Sequence, residues 1–185
     1  MHRQLTCHAR HRSTVRTHGF TLIELVAVMV LIAIMSAVAV PSIANLPSMR
    51  AGAAARQLAR DLIFARQQAM ARGATVWVVF NTTNEAYSIL AESAASPGLG
   101  NAVALTDPAT GLPFVQVFTS GEFANVDLSW VIIGGSAGTH LGFDWLGRPV
   151  DSDGTLLTVL SSVRLNSGAY IITVAAQGGA VTVSP

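Results

Sequence analysis

The chain has 185 residues, 51% of them hydrophobic and 11% charged, and its mean hydropathy of +0.49 is too apolar for a disordered tail or an ordinary soluble domain. Its length allows one compact domain plus a targeting or membrane segment and excludes a large multidomain enzyme. The single cysteine, Cys7, excludes a disulfide framework or a thiolate zinc cluster within one chain, and four of the five histidines (His2, His8, His11, His18) lie before residue 19, which leaves no relay of histidines elsewhere.

Charge divides the chain. Residues 1–19 carry Arg3, Arg10, Arg12 and Arg16 and no acid, whereas the remainder holds seven arginines against ten acids; there is no lysine. A cationic head followed at once by an apolar run is a membrane-targeting arrangement whose positive end stays cytoplasmic. The run, residues 20–40, reads FTLIELVAVMVLIAIMSAVAV with Glu24 as its one charge. As a helix rising about 1.5 Å per residue it covers about 30 Å, the thickness of a hydrocarbon core. A secretory signal peptide is the rival reading. Its apolar core would be shorter, and the small residues Ala37 to Ala39 that could serve as its cleavage site lie inside the run.

A carboxylate in such a helix costs roughly 2.5 to 3.5 kcal/mol on insertion scales unless a cation pairs with it. Glu24 is therefore either an interfacial acid hydrated by headgroups or a functional one. The residues Gly19-Phe20-Thr21-Leu22-Ile23-Glu24-Leu25, with a basic leader before them and an apolar helix after, resemble the prepilin processing motif of type IV pilins and type II secretion pseudopilins. The resemblance implies cleavage between Gly19 and Phe20 by a prepilin peptidase, then N-methylation of Phe20. It also implies that Glu24 pairs with the new amino terminus, its own or a neighbouring subunit's, as helices pack into a filament.

Beyond the run, Pro41 predicts a kink or loosened stretch, because proline removes a helical hydrogen bond and clashes with the preceding turn. Residues 53–72 return to an amphipathic helix, with Ala55, Leu58, Leu62, Ala65 and Ala69 forming a stripe for a sheet and Gly73 ending it. Arg50, Arg56, Arg60, Arg66 and Arg72 face one acid, Asp61, in this helix. They read as a solvated face or contacts with neighbouring acids, with nucleic acid or lipid headgroups as the alternative.

After Gly73 the period becomes that of strands. Residues 74–80 and 86–91 flank Asn81-Thr-Thr-Asn84 as a hairpin, and residues 92–113 read as a long surface loop. Further strands are expected at 114–119, 127–133, 140–146, 155–160, 169–176 and 180–184, the last two joined through Gln177-Gly178-Gly179. The fold class is α+β, a long N-terminal helix packed on antiparallel sheet. Four segments follow: a leader at 1–19, a transmembrane and assembly helix at 20–40, its kinked continuation at 41–72, and a β-rich domain at 73–185.

Ala65-Arg66-Gln-Gln-Ala69-Met-Ala-Arg72-Gly73-Ala-Thr-Val76-Trp-Val78 and Leu141-Gly-Phe143-Asp-Trp-Leu-Gly147-Arg148, with the closing strands from Tyr170 to Val183, are similar to the GspH/FimT family of minor pilins and pseudopilins. This resemblance implies a pilin-like fold and a non-enzymatic subunit in the inner membrane, with its C-terminal domain in the periplasm. The expected partners are a prepilin peptidase/N-methyltransferase and other pseudopilins or minor pilins. The function implied is a minor pseudopilin at or near the tip of a type II secretion pseudopilus. A FimT-like minor type IV pilin for pilus assembly or DNA uptake is the near alternative. The last nine residues carry no basic side chain, which argues against DNA as a partner.

A membrane-anchored binding module or enzyme is the alternative of another class. His140 with Asp144 offers residue types of a triad without a nucleophile elbow, and reads as an ordinary strand histidine. Asp151-Ser-Asp153-Gly154 opens like a calcium loop but lacks the closing Glu, and reads as a turn. Catalytic residues, metal ligands and cofactors are not expected. Most of Trp77, Trp130 and Trp145 are expected in the core, with an exposed contact surface as the alternative, and alternation does not identify the exception.

Overall fold

The computed structural model describes residues 19–44, 46–93 and 95–185, and their side chains except at 38–44 and 167. The leader, with Cys7 and its histidines and arginines, lies outside the described residues apart from Gly19. The chain divides into two compact units, Met1–Ile43 and Ala44–Pro185.

In the first unit, helix α1 runs Leu22–Ala44. Thr21 starts it: the Thr21 hydroxyl accepts the Glu24 N–H at 3.3 Å, and its carbonyl accepts the N–H groups of Glu24 and Leu25 at 3.1 and 3.2 Å. The Thr-x-x-Glu spacing suits a helix N-terminus, where orphan N–H groups need acceptors and an acid meets the positive end of the dipole. Every residue from 19 to 37 is exposed. No helix stretch among the described residues is long and apolar enough to cross a membrane; the apolar run itself continues to Val40. Helix α1 extends through Pro41, and α2 (Leu46–Arg72) takes Pro47 into its first turn, where the missing N–H leaves no partner unsatisfied.

In the second unit α2 is the organising element. Ala51, Ala54, Ala55, Leu58, Ala59, Leu62, Ala65 and Ala69 are all buried, a stripe at helical spacing whose small side chains let the backbone approach the sheets closely. At Gly52 the approach is close: an added Cβ would stand 2.9 Å from the Tyr170 hydroxyl. The helix ends at Gly73, whose φ of +64° is the left-handed cap that glycine supplies, its N–H donating to the Ala69 carbonyl at 3.0 Å.

The strands are β1 (Val76–Asn81), β2 (Ala86–Ala91), β3 (Val103–Ala104), β4 (Val115–Val117), β5 (Leu128–Ile133), β6 (Ser136–Ala137), β7 (His140–Phe143), β8 (Pro149–Val150), β9 (Ser161–Leu165), β10 (Tyr170–Val174) and β11 (Val181–Ser184). They form two antiparallel sheets. One has the order β3-β2-β1-β7-β8, with β4 also pairing β2, and the other β11-β10-β9-β5-β6. Helix α2 contacts β1 and β7 of the first and β10 and β11 of the second. The expected α+β class is what the chain adopts. Both expected hairpins are present, β1 with β2 and β10 with β11.

Two expectations about the strands differ. Residues 92–113 are not one free loop: β3 pairs with β2, and Leu105 is buried in the core. Its N–H donates to the Ile89 carbonyl at 2.9 Å, so the open edge of β2 and one apolar side chain hold the middle of this stretch. Residues 155–160 form no strand; Leu156 makes an isolated bridge with Val150, and Leu156, Val159 and Leu160 are exposed. The strand is β9 immediately after them, whose Ser161, Val163 and Leu165 alternate inward.

Strand β1 is covered on both faces. Val76, Val78 and Phe80 join the helix-side core, while Trp77 lies on the other face, 2% exposed, its Nε1–H donating to Glu92 Oε1 at 2.6 Å. Opposite it sits Gly142, where a Cβ would come 2.6 Å from both the Trp77 ring and Val150. Gly142→Ala is expected to destabilise the protein by roughly 1–3 kcal/mol through overpacking, read as a lowered denaturant midpoint; an unchanged midpoint would mean that Trp77 moves freely.

Candidate functional site

The sequence-predicted site residues fall at the start of α1. Gly19 and Phe20 precede the helix, both exposed, and Glu24 occupies the first turn. Among the described residues, nothing lies within 4 Å of where a Cβ on Gly19 would stand. The one ion pair among the described residues joins Arg148 to Asp144, so Glu24 has no cationic partner there. Phe20, Leu22 and Ile23 are 82%, 82% and 77% exposed. A helix apolar all round, carrying one unpaired acid and uncovered along its described length, is suited to lipid or to other helices and not to water.

The remaining candidates resolve separately. Asp144 holds the β7–β8 turn: its Oδ1 accepts the N–H groups of Leu146 and Arg148 at 3.0 and 2.8 Å, and its Oδ2 accepts Arg148 Nε at 2.8 Å. His140 Nδ1 lies 2.8 Å from the Thr139 hydroxyl. The pair therefore serves different local structures and forms no triad with each other. Asp151 Oδ1 accepts the N–H groups of Asp153 and Thr155 at 3.0 and 2.9 Å, the turn that Asp and Gly favour. Among the described residues, no three His, Cys, Asp or Glu side chains are grouped to hold a metal ion. Of the tryptophans, Trp77 is core, whereas Trp130 and Trp145 are exposed, against the expectation that most of the three are packed inside.

One cluster escaped the sequence reading. Asp61 sits on the buried side of α2, 6% exposed. Gln57 Nε2 donates to its two oxygens at 2.9 and 3.1 Å, and the buried Tyr87 hydroxyl donates to Oδ2 at 2.5 Å. Burial pushes the Asp61 carboxyl above its ordinary range, against the hydrogen bonds from Tyr87 and Gln57 and the charge of Arg60; Asp107 adds to the rise. Tyr87 is also pushed well up, by burial first and then by the charge of Asp61. The clue in the sequence is position: Asp61 lies three residues after Leu58 and next to Leu62, within the apolar stripe rather than opposite it.

Residues 15–40 match the family described as the prokaryotic N-terminal methylation motif, and residues 54–184 match the family described as type II transport protein GspH. No curated protein matches. Among solved structures, the minor pseudopilin EpsH from the type 2 secretion system of Vibrio cholerae is similar at 13% identity and a TM-score of 0.49, covering 73% of this chain and 96% of that one. The type IV minor pilin FimU of Pseudomonas aeruginosa is similar at 16% identity and a TM-score of 0.46, covering 72% of this chain and 92% of that one.

Asp61 generates a pH dependence with a definite sign. Its folded-state pKa is raised, so the charged form costs stability above that pKa. As pH falls through it toward the unfolded value, the folded state takes up the proton first and gains stability. Asp61→Asn removes this linkage. Denaturant unfolding near pH 7 and pH 4.5 is expected to show wild type gaining on the variant at the lower pH; a gap independent of pH would contradict the burial argument.

Proposed function

We propose that this chain, which belongs to the GspH family of type II transport proteins and is a minor pseudopilin, is a structural subunit at or near the tip of the type II secretion pseudopilus. The family is one of filament subunits and not of enzymes. Its N-terminal methylation motif is that of proteins anchored in the inner membrane and processed by a prepilin peptidase, and pilus-type subunits are its partners.

In this reading the peptidase cuts between Gly19 and Phe20, and Phe20 is then N-methylated. Residues 20–40 cross the inner membrane once, with the arginine-rich leader inside and the sheet domain in the periplasm. Glu24 pairs with the ammonium that cleavage creates, its own or that of a neighbouring subunit, as helices gather in the filament. The observation that carries the reading is the state of α1: apolar, exposed from residue 19 to 37, and bearing an acid with no cationic partner among the described residues. A buried carboxylate without a counterion is costly, and a cleaved terminus at the same depth supplies one. The other partners are minor pseudopilins that meet the periplasmic domain. DNA has no place in this reading, because β11 and the turn before it lack basic side chains.

Glu24→Ala and Glu24→Val are expected to leave membrane insertion and leader cleavage intact while strongly reducing assembly and secretion. Fractionation, the size shift on cleavage and secreted enzyme activity measure the three steps. Normal secretion with either variant would contradict the pairing.

A further inference from the structure

A cleft of about 670 Å³ opens between α2 and the segment 107–123, within the size range of binding recesses. One of its walls is aromatic: the rings of Phe64 and Phe114 stack with centroids 5.6 Å apart. Its charged lining is Asp61, Asp107 and Glu122 against Arg60 alone. Arg60 does not neutralise Asp61 by direct contact, since its Nη2 donates to Gln57 Oε1 at 2.6 Å and Asp61 makes no ion pair among the described residues. The donors that do reach Asp61, Gln57 and Tyr87, are neutral. Asp107 has its oxygens engaged by the Ala109 N–H and the Thr110 hydroxyl, both at 2.8 Å, which fixes that acid at the cleft.

Buried carboxylates are ordinarily paired or ligate metal. The metal alternative lacks a ligand set, as no three acidic or imidazole groups converge among the described residues. What the lining does match is a flat organic cation: a guanidinium lies against aromatic rings, presents donors in a fork to a carboxylate, and is weakly hydrated enough to enter a half-buried recess. A lysine ammonium would lose more hydration and gain less from Phe64 and Phe114.

We propose that this cleft receives an arginine side chain of an adjoining subunit in the pseudopilus, its guanidinium directed to Asp61 and Asp107 and its plane against the Phe64–Phe114 wall. This rests on the reading of the chain as a pseudopilus subunit and adds the chemistry by which one neighbour is recognised. The periplasmic unit thereby holds a contact separate from helix α1, and its net negative lining excludes an acidic partner segment.

The test has a binding arm and a cellular arm. The full chain in detergent micelles is titrated with N-acetyl-arginine amide and with the neutral isostere N-acetyl-citrulline amide, following backbone amide resonances of residues 57–64 and 107–123. Saturable shifts with the arginine compound alone are expected, weakened at least about fivefold in Asp107→Asn/Glu122→Gln, a rim variant outside the packed core, and abolished in Asp61→Asn with resonances elsewhere unchanged. No shifts, equal shifts with citrulline amide, or an unaltered titration in the variants would overturn the proposal. In cells, the rim variant is expected to be cleaved and inserted normally but to secrete poorly; normal secretion would overturn the arginine of an adjoining subunit as occupant. Failure of the pseudopilus reading itself would appear in the Glu24 variants, which leave the arginine titration untouched.

Discussion

Among the described residues, the side chains of α1 have nothing in their own unit to bury against. From residue 19 to 37 they are exposed, and an apolar surface of that extent is stable only in lipid or against other apolar helices. Glu24 sharpens the constraint, because the same environment that satisfies Leu22, Ile23 and Leu25 penalises an unpaired carboxylate. A helix of this kind specifies its surroundings: a hydrocarbon medium that also contains a cation near the first turn. A terminus exposed by cleavage at Phe20 would meet that requirement without any arginine or lysine in the helix, and the sequence offers neither between Arg16 and Arg50.

The second unit follows the opposite logic. Helix α2 buries one stripe of mostly alanine against both sheets, and close approach is preserved at Gly52 by the Tyr170 hydroxyl and at Gly142 by Trp77 and Val150. Tight packing leaves few places for polar groups, so Asp61 within the stripe stands out. It is kept in place by Gln57 on its own helix and Tyr87 on β2, and it faces a cleft shaped by the connection that leads into and out of β4. The helix that organises the core also carries an acid that lines the cleft.

Much of this was legible beforehand, for identifiable reasons. The methylation motif over residues 15–40 was readable because a basic leader, a Gly-aromatic junction and an apolar run with a single acid form a strict local order. The Ala55–Leu58–Leu62–Ala65–Ala69 stripe and the two hairpins were readable because their periods are set by one helix face and by turn-forming residues. Strand β9 was displaced because Thr155 to Leu160 is more apolar than Ser161 to Leu165, yet the former is exposed connection and the latter pairs with both β5 and β10. Strand β3 is two residues long and owes its existence to the edge of β2, which no local pattern encodes. The Asp61–Tyr87 contact joins residues 26 apart, and only the stripe position of Asp61 hinted at it.

The central claim is that an acid in an apolar helix finds its counterion in a terminus made by cleavage. Intact mass measurement of the chain extracted from membranes of cells with an active processing peptidase tests it most directly. A mass corresponding to a chain beginning at Phe20 and carrying one added methyl group is predicted. A mass corresponding to a chain still beginning at Met1 would contradict the account.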